Sequence, residues 1–475
     1  MKFLKFYEVW KIQIRTTTVA HRSLDKAIDL ALKNTVEDVN GTPDFILVGI
    51  TSKYQKKDYK RAIHRIKESS GIETIIGGTF PTVVTNNELP TTQGCSIFVI
   101  KCKDIKFEKP FSCSNIRVNQ KKGIEEIAKK YRKNKRRSKL ALTLVAGTTL
   151  QANAIEQLKV LDLKMAKEMK KMFNFLGGLM EKKLAKEGYG TVGYIDTLVE
   201  DLAKKNISNL IGGATFDIDL ESSYQFCGDK ITVNGLTGTL LSSDKIHFGH
   251  SWTFDKSIGS ESYTVSDYLQ SGYIQTIHGK LANEELLNVI NIPRELYNQS
   301  FESFSYANPL YLSGLKSDDN EYFPFLTLCH PTLKGVVTTF PKSKAKGKEF
   351  RAEIFKQSGI GVARSAGLCT QEALVDIEKP HFGIFINCAN RLLIAGDKIV
   401  AENKKIESVL GEDIPFITLY SGAEFSAINK KPIYTNAAIH CIVAGEKKED
   451  SRYKKFEVNK RDDINWYYSK YRKNY

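Results

Sequence analysis

The sequence of 475 residues predicts an α/β fold with mixed sheets, helices outside, and two related halves that form one layered body. Short apolar runs ending in Gly, Ser or Thr alternate with segments of helical periodicity. This alternation occurs three times, and strand–helix–strand order over such lengths is typical of a βαβ unit with parallel strands. The chain is also long enough for two or three domains.

Two elements precede the first unit. Residues 10–20 alternate between apolar and polar side chains, as in a half-buried strand. Ser23 then precedes an apolar-periodic segment that ends near Asn34, and serine at that place favours a helix start.

The first βαβ unit is predicted just after this helix. Residues 44–48 form an apolar run, and residues 57–68 have helical spacing. The next apolar run ends in Gly77, Gly78 and Thr79. Such small residues permit tight turns and a close approach of the backbone.

The second βαβ unit repeats this pattern. Residues 140–145 form the first strand, a long helical stretch follows within 154–205, and the second strand ends in Gly212 and Gly213. The stretches 85–140 and 154–205 are interpreted as enlargements of the unit.

The third unit carries the most chemistry. Its first strand stops at Cys388, a helix is predicted over 397–410, and its second strand ends just before Gly422. Parallel strands joined in this way end at one edge of the sheet, and open α/β sheets bind ligands outside that edge. We therefore expect Cys388, Arg391, Gly422 and Glu424 to lie together there.

Short strands joined by hairpins are predicted over 224–254 and again over 309–354. A Ser- and Gly-rich segment between them is typical of a linker. The predicted domains are an N-terminal half, a C-terminal half and a basic, aromatic tail that is expected to be helical. Their bounds are 1–256, 262–445 and 446–475.

The formal net charge of +16 is concentrated in two segments. Residues 121–140 contain ten Lys/Arg and two Glu, a net +8, and residues 447–475 contain ten Lys/Arg and five Asp/Glu, a net +5. We interpret both as solvated appendages on a balanced body. No apolar run reaches membrane-spanning length, and the N-terminus does not resemble a secretion signal. The eight cysteines lack Cys-x-x-Cys pairs, which favours a reducing, cytoplasmic setting without a metal site.

The order of short motifs resembles the FIST (F-box and intracellular signal transduction) family over about residues 40–445. The C-terminal half has the family's Cys-x-x-Arg, Pro-Phe and Gly-x-Glu elements and a polar residue before the last strand. These are Cys388 and Arg391, Pro415 and Phe416, Gly422 and Glu424, and Asn436. The N-terminal half has the Gly-Gly-x-x-x-Asp and His-x-Trp elements, at Gly212, Gly213 and Asp217 and at His250 and Trp252.

One element departs from the family. The first glycine-rich strand end is Gly77-Gly78-Thr79-Phe80, without the usual cysteine, so a thiol has no place in that part of the site. The resemblance implies a sensory domain for small ligands, amino acids among them, and implies no catalytic activity and no cofactor.

The predicted ligand-binding residues follow from the strand ends and the resemblance together. Arg391 is expected to hold a carboxylate and Glu424 an ammonium group, and a zwitterion satisfies both. The alternative is that these two side chains form an ion pair with each other. The complete predicted set is Cys388, Arg391, Gly422, Glu424, Asn436, Gly77, Gly78, Thr79, Gly212 and Gly213.

Two other functions compete with a non-catalytic sensor for a small polar metabolite that signals to a protein partner. One is an enzyme with Cys388 as nucleophile and His381 or His440 as its base. The other is an RNA- or ribosome-associated protein that uses the basic segments 121–140 and 447–475.

Overall fold

The computed structural model describes residues 12–151, 179, 182–217, 220, 222–256, 261–268, 272–291, 305–306, 311–316, 321–329, 332–339, 341 and 349–448. Most of the predicted long helix within 154–205 lies outside these ranges, as does the tail from 449 onward. The described part confirms a mixed α/β fold.

Helices occur in both halves of the chain. The α-helices that the structure describes in full are α1 (Leu24–Thr35), α2 (Lys56–Ser70), α3 (Ile116–Lys133), α4 (Tyr194–Lys204), α5 (Ala282–Val289), α6 (Gly359–Ala373), α7 (Asn390–Ala395) and α8 (Ile399–Leu410). Residues 182–187 are also helical, and a 3-10 turn covers Gly396–Lys398. The ends of α1 and α2 follow from sequence. The Ser23 hydroxyl accepts from the Lys26 N–H at the start of α1, and Gly71 ends α2 with a left-handed φ of 70°.

Strands make up most of the remaining structure. Up to residue 253 they are β1 (Ile12–Ala20), β2 (Phe45–Thr51), β3 (Ile75–Phe80), β4 (Val83–Thr85), β5 (Gly94–Cys102), β6 (Lys106–Phe107), β7 (Phe111–Cys113), β8 (Ser138–Ala146), β9 (Asn209–Thr215), β10 (Tyr224–Cys227), β11 (Lys230–Val233), β12 (Leu236–Ser243) and β13 (Ile246–Thr253). The later strands are β14 (Ser262–Tyr268), β15 (Tyr273–Ile277), β16 (Lys280–Leu281), β17 (Ser305–Tyr306), β18 (Tyr311–Lys316), β19 (Tyr322–Phe325), β20 (Thr327–Cys329), β21 (Val336–Thr338), β22 (Phe350–Lys356), β23 (Ile377–Cys388), β24 (Phe416–Ser421), β25 (Glu424–Ile428), β26 (Lys431–Thr435) and β27 (Ile439–Lys447).

These strands form four sheets. The first sheet has the order β1-β5-β2-β3-β10-β11, the second β26-β25-β9-β8-β12-β6 with β7 beside β12, and the third β13-β27-β23-β24-β4. Each of these three sheets contains one parallel pair, β2 with β3, β8 with β9, and β23 with β24. The three predicted βαβ units are therefore confirmed. The fourth sheet, β14 to β22, is antiparallel.

The three mixed sheets face one another across a shared core. Alternate residues of their strands, such as Leu47 in β2, Leu142 in β8 and Ile384 in β23, are buried in one central cluster. The intervening residues, such as Val48 and Phe385, pack outward against helices. This alternation is the period of two expected of strands buried on both faces.

Each mixed sheet is completed by strands that belong to another unit. The hairpin β10–β11 follows β9 in the chain but pairs with β3 of the first sheet. The hairpin β25–β26 follows β24 but pairs with β9 of the second sheet. The short β4 follows β3 but pairs with β24 of the third sheet. The three units thus exchange edge strands in a closed cycle, which leaves fewer unpaired sheet edges. The predicted domain bounds at 256 and 262 stay a prediction.

The basic segment 121–140 is not an appendage, so this part of the sequence interpretation is wrong. Its first part belongs to α3, whose residues Ile124, Ile127 and Tyr131 are buried in the core beneath the second sheet. Its last part enters β8, a central strand of that sheet. The high charge of the segment concealed an amphipathic helix with one buried face.

Candidate functional site

The parallel pair of the third sheet ends where the sequence predicts a ligand site. Cys388 at the end of β23 is paired in register with Ser421 at the end of β24, and Gly422 is the next residue. The Ala389 N–H donates to the Ser421 carbonyl at 2.7 Å, and the Cys388 N–H donates to the Ala438 carbonyl at 3.0 Å. Both strand ends and the start of β27 therefore meet at one point.

Glu424 and Asn436 complete this strand-end group. One carboxyl oxygen of Glu424 accepts from the Ser421 hydroxyl at 2.9 Å, and the other accepts from the Ala438 N–H at 3.4 Å. The Cys388 thiol lies 3.9 Å from Asn436 Oδ1. The structure thus brings Cys388, Gly422, Glu424 and Asn436 together, and all three side chains are buried.

Burial sets the charge state of this group. It raises the pKa of Glu424 well above its usual range, and the donors Ser421 and Ala438 and the Arg391 guanidinium offset the shift only in part. Burial also raises the pKa of the Cys388 thiol, and the nearby Glu424 raises it further. A neutral carboxyl group and a neutral thiol are therefore favoured near pH 7.

Arg391 is fully buried, and its partner is Glu402 rather than Glu424. The two side chains approach to 2.6 Å, and Arg391 also donates to the Val362 carbonyl at 2.7 Å and to the Ser365 hydroxyl at 3.0 Å. The Tyr420 hydroxyl donates to the second Glu402 oxygen at 2.9 Å. The predicted ion pair between Arg391 and Glu424 is therefore wrong, because α7 directs the guanidinium toward α6 and α8.

Sequence reasoning missed Glu402, although a signal was present. Glu402 lies three residues after Ile399 and four before Ile406, so helical spacing places it on the apolar face of α8. A carboxylate at such a position needs a cationic or hydrogen-bonding partner.

Several buried polar atoms around the strand ends have no hydrogen-bond partner within the described part of the protein. They lie at the end of β23 and on the first turn of α7. They are Asn387 Oδ1 and Nδ2, Asn390 Oδ1 and Nδ2, and Arg391 Nη1. Buried polar groups are nearly always satisfied, so such a concentration needs an explanation.

The glycines of the predicted site have different surroundings in the structure. A Cβ atom on Gly213 would lie 2.6 Å from Ile386 Cγ2 and 3.1 Å from Ser421 Cβ, so Gly213 adjoins the strand-end group. A Cβ atom on Gly212 would instead lie within the Phe425 ring.

Gly77, Gly78 and Thr79 belong to the first sheet. A Cβ atom on Gly77 would meet the Val48 carbonyl, and one on Gly78 would meet Thr215. The Thr79 hydroxyl accepts from the Tyr224 N–H at 3.3 Å. These three residues therefore lie next to strands of the second unit and not next to Cys388.

The fourth sheet covers the site. Cys388, Ala437 and Ala438 share an apolar cluster with Phe254 and with Phe355 of β22. The Asn436 N–H donates to the Pro324 carbonyl of β19 at 2.9 Å. Ala437 has a φ of 71°, a conformation that non-glycine residues seldom adopt and that is frequent at functional sites. The site therefore lies between two structural layers, where ligand pockets are common.

The second unit offers an internal comparison. Ala146 occupies the position of Cys388, since its N–H donates to the Gly235 carbonyl at 2.8 Å as Cys388 does to Ala438. Gln225 occupies the position of Glu424, since Gln225 is paired with Gly78 and Glu424 with Gly213, the second glycine of a Gly-Gly strand in each case. The Gln225 amide is satisfied, because it donates to Thr215 at 2.6 Å and accepts from the Gly235 N–H at 2.6 Å.

The two histidines considered as bases do not contact Cys388. His440 interacts with the Thr435 hydroxyl at 2.8 Å and the Ser426 hydroxyl at 3.0 Å. His381 lies near the opposite end of β23, 3.6 Å from Glu446. Within the described ranges, no group of three or more His, Cys, Asp or Glu residues is arranged to hold a metal ion.

The protein therefore has an α/β fold and carries a set of buried polar side chains at the carboxyl ends of a parallel strand pair. The model of the FIST N domain matches residues 44–280. The chain therefore belongs to the FIST family, whose domain is a sensory and signal-transduction domain.

Other comparisons add little. No curated protein matches the chain. A solved structure described as "Structure of PurLQS from Thermotoga maritima" is similar at 8% identity, with a TM-score of 0.21 over 92% of this chain and 72% of that chain. No helix of the described part is long and apolar enough to cross a membrane.

Proposed function

We propose that the strand-end group of the third unit binds a small polar metabolite with a carboxylate and an ammonium group, such as an amino acid, and that the protein is a non-catalytic sensor. The observation that carries this proposal is the set of buried, unpartnered polar atoms on Asn387, Asn390 and Arg391. An unmade buried hydrogen bond costs about 1–3 kcal/mol, and a ligand that supplies the missing partners recovers that energy.

The chemistry of these atoms suggests how such a ligand lies. Arg391 Nη1 offers its two N–H groups to a carboxylate, while Nε and Nη2 hold Glu402, Val362 and Ser365. The amides of Asn387 and Asn390 each offer both donors and an acceptor. Arg391 lies near enough to Glu424 to lower the pKa of that carboxyl group slightly, and an adjacent ammonium group would favour its ionised form further.

The second unit supports this choice of site. At its equivalent strand end the place of Glu424 is taken by Gln225, whose amide already has protein partners. There Arg117 donates to the carbonyl groups of Gly147, Gly188 and Gly190. Of these two equivalent ends, the one at Cys388 offers more polar atoms to a ligand.

The competing role of Cys388 as a nucleophile has weaker support. Neither His381 nor His440 lies against the thiol, and burial raises the thiol pKa, which disfavours the reactive thiolate. Iodoacetamide at pH 7.5 should therefore leave Cys388 unmodified in the folded protein and label it in urea. Rapid labelling of Cys388 in the folded protein would favour the enzyme.

A cytoplasmic location and a protein signalling partner belong to the same proposal. All eight cysteines are free, although the sulfur atoms of Cys369 and Cys441 are 3.3 Å apart. Unbonded thiols at this separation fit a reducing compartment.

The test is native mass spectrometry for a co-purified small molecule, followed by calorimetric titration with the twenty amino acids. Asn390→Ala should weaken binding at least about tenfold, or roughly 1.4 kcal/mol. It should change the melting temperature little, because the Asn390 amide has no partner in the described part of the protein.

Asn288→Ala is the matched control, since Asn288 is an exposed amide on α5 far from the strand ends in sequence. It should leave affinity unchanged. The absence of both a co-purified mass and any titration signal, or equal affinity of the Asn390 variant, rejects the proposed site.

A further inference from the structure

The second sheet and α3 enclose a groove of about 980 Å³. The groove lies between the C-terminal half of α3, the short β6 and the turn after β12. It is lined by Lys106, Glu108, Glu126, Lys129, Lys130, Lys133, Asn134, Lys135, Arg136 and Asp244. None of these residues belongs to the strand-end group of the third unit.

We propose that this groove binds single-stranded RNA. The charge of the lining is the first argument, since six basic residues face three acidic ones. Lys106 is paired with Glu108 at 2.6 Å, whereas Lys129, Lys133 and Lys135 have no ion-pair partner in the part of the chain that the structure describes. Unpaired lysines along a concave surface are suited to a chain of phosphates.

The basic groups are held on packed structure. The Asn134 amide is buried and donates to the Ser242 hydroxyl at 2.8 Å, and the Arg136 guanidinium donates to the Ser242 carbonyl at 3.3 Å. Below them, Ile127 and Tyr131 anchor α3 in the core. Because the walls of the groove are already fixed, fewer side chains lose conformational freedom when a ligand binds than in a mobile basic segment.

The mixed charge of the lining favours a nucleic acid over other polyanions. Glu108, Glu126 and Asp244 lie among the lysines, and carboxylates accept hydrogen bonds from base amino groups and from ribose 2′-hydroxyls. An acidic peptide presents carboxylates to these same positions and is repelled. An anionic membrane is flat on this scale, whereas the groove is concave.

The position of the basic residues is only partly explained by the helix itself. Lys130 and Lys133 lie in the last turn of α3, where cations stabilise a helix end. Lys106, Lys135 and Arg136 lie outside the helix and gain nothing from that effect. A shared binding role accounts for both sets.

The experiment measures fluorescence anisotropy of a labelled 20-nucleotide single-stranded RNA of mixed sequence, with the full-length protein, over a series of KCl concentrations. The test variant carries Lys129→Glu, Lys133→Glu and Lys135→Glu. The control variant carries Lys56→Glu, Lys57→Glu and Lys60→Glu, which are exposed lysines on α2 and change the net charge by the same amount.

The test variant should bind at least about tenfold more weakly at low salt, and the slope of log affinity against log salt should fall by about 2, since each phosphate contact contributes about 0.7. The control variant should bind nearly as well as the unmodified protein. Circular dichroism should be the same for all three proteins, and the melting temperature of the test variant should fall only slightly, because Lys133→Glu places an anion at the end of α3.

Three outcomes overturn the proposal. One is the absence of RNA binding by the unmodified protein. Another is an equal loss in both triple variants, which means that net charge alone attracts the RNA. The third is poly-glutamate displacing the RNA at equal charge concentration, which assigns the groove to an acidic protein. Because Lys129, Lys133 and Lys135 lie outside the strand-end group, these results do not depend on whether a metabolite binds near Cys388.

Discussion

Arg391 and Glu402 form an ion pair that is closed to solvent, and both side chains are fully buried. An isolated charge in such a place is costly, so each partner depends on the other. An ion pair exposed to solvent would be worth about 1 kcal/mol or less. Burial changes that expectation, because removal of the arginine leaves the Glu402 carboxylate without its cation.

Arg391→Ala should lower the free energy of unfolding by about 3–5 kcal/mol, the range for breaking a buried pair by removing one partner. Urea denaturation measures the change. The control is Arg61→Ala, which removes an exposed arginine paired with Asp25 and Asp58 and should alter stability little. Equal stability of the Arg391 variant and the unmodified protein would contradict the buried pair.

Glu424 makes the stability depend on pH. Its pKa is raised in the folded state, so the folded protein retains a proton that the unfolded chain releases above a pKa of about 4.3. The neutral carboxyl group therefore makes its full contribution to the free energy of unfolding below the unfolded-state pKa. That contribution is lost as pH rises toward the folded-state pKa.

Glu424→Gln should remove this dependence, because glutamine keeps the shape without the ionisation. Between pH 5 and 7 the free energy of unfolding of the unmodified protein should fall relative to the variant by up to about 1.4 kcal/mol per pH unit. Urea denaturation at each pH measures this. Parallel curves of unfolding free energy against pH for the two proteins would show that Glu424 is already ionised. Glu126→Gln on α3 serves as the control.

At the scale of elements, α3 shows that a highly charged segment can contribute one apolar face to the core. Its basic residues face solvent and the groove, while Ile124, Ile127 and Ala128 face the second sheet. Deletion of 121–140 therefore removes most of α3 and the start of β8. We expect this deletion to abolish folding, whereas removal of a solvated appendage would leave the fold intact.

Ile127→Ala should destabilise the protein by about 2–5 kcal/mol, the usual cost of truncating a buried isoleucine. Lys129→Ala, two residues further along the same helix, should change stability by less than about 0.5 kcal/mol, as most surface substitutions do. Thermal melting of both variants is the measurement. Similar melting temperatures for the two variants would mean that 121–140 is a solvated segment, as its charge predicts.

At the scale of the whole molecule, three mixed sheets share one core and exchange edge strands. Gly213 of the second sheet lies against Ile386 and Ser421 of the third sheet. The glycine is needed because the two sheets approach closely there, and it adjoins the residue paired with Cys388.

Gly213→Ala should lower stability by roughly 1–3 kcal/mol, because the added methyl group overpacks this contact between sheets. Gly359→Ala is the control, since a Cβ atom there would have no neighbour nearer than 3.5 Å. It should be neutral or slightly stabilising. A stable Gly213 variant with unchanged ligand affinity would mean that the two sheets are less closely packed at this point.

The sequence determined much of the local architecture. Apolar runs and helical spacing predicted the three parallel pairs, because the period of buried side chains is set by the geometry of each element. The same reasoning placed Cys388 at a strand end beside Gly422 and Glu424, because crossover connections bring the ends of parallel strands to one edge. The family motifs marked the same residues.

Only the tertiary structure decided which elements meet. Periodicity reports that one face of α3 or α8 is buried, but not what covers it, so the buried side of 121–140 and the pairing of Arg391 with Glu402 were missed. The exchange of β4, β10–β11 and β25–β26 among the sheets was also hidden, because an edge strand carries no signal for its partner. Contacts between residues distant in the chain depend on packing, and packing is settled by the whole fold.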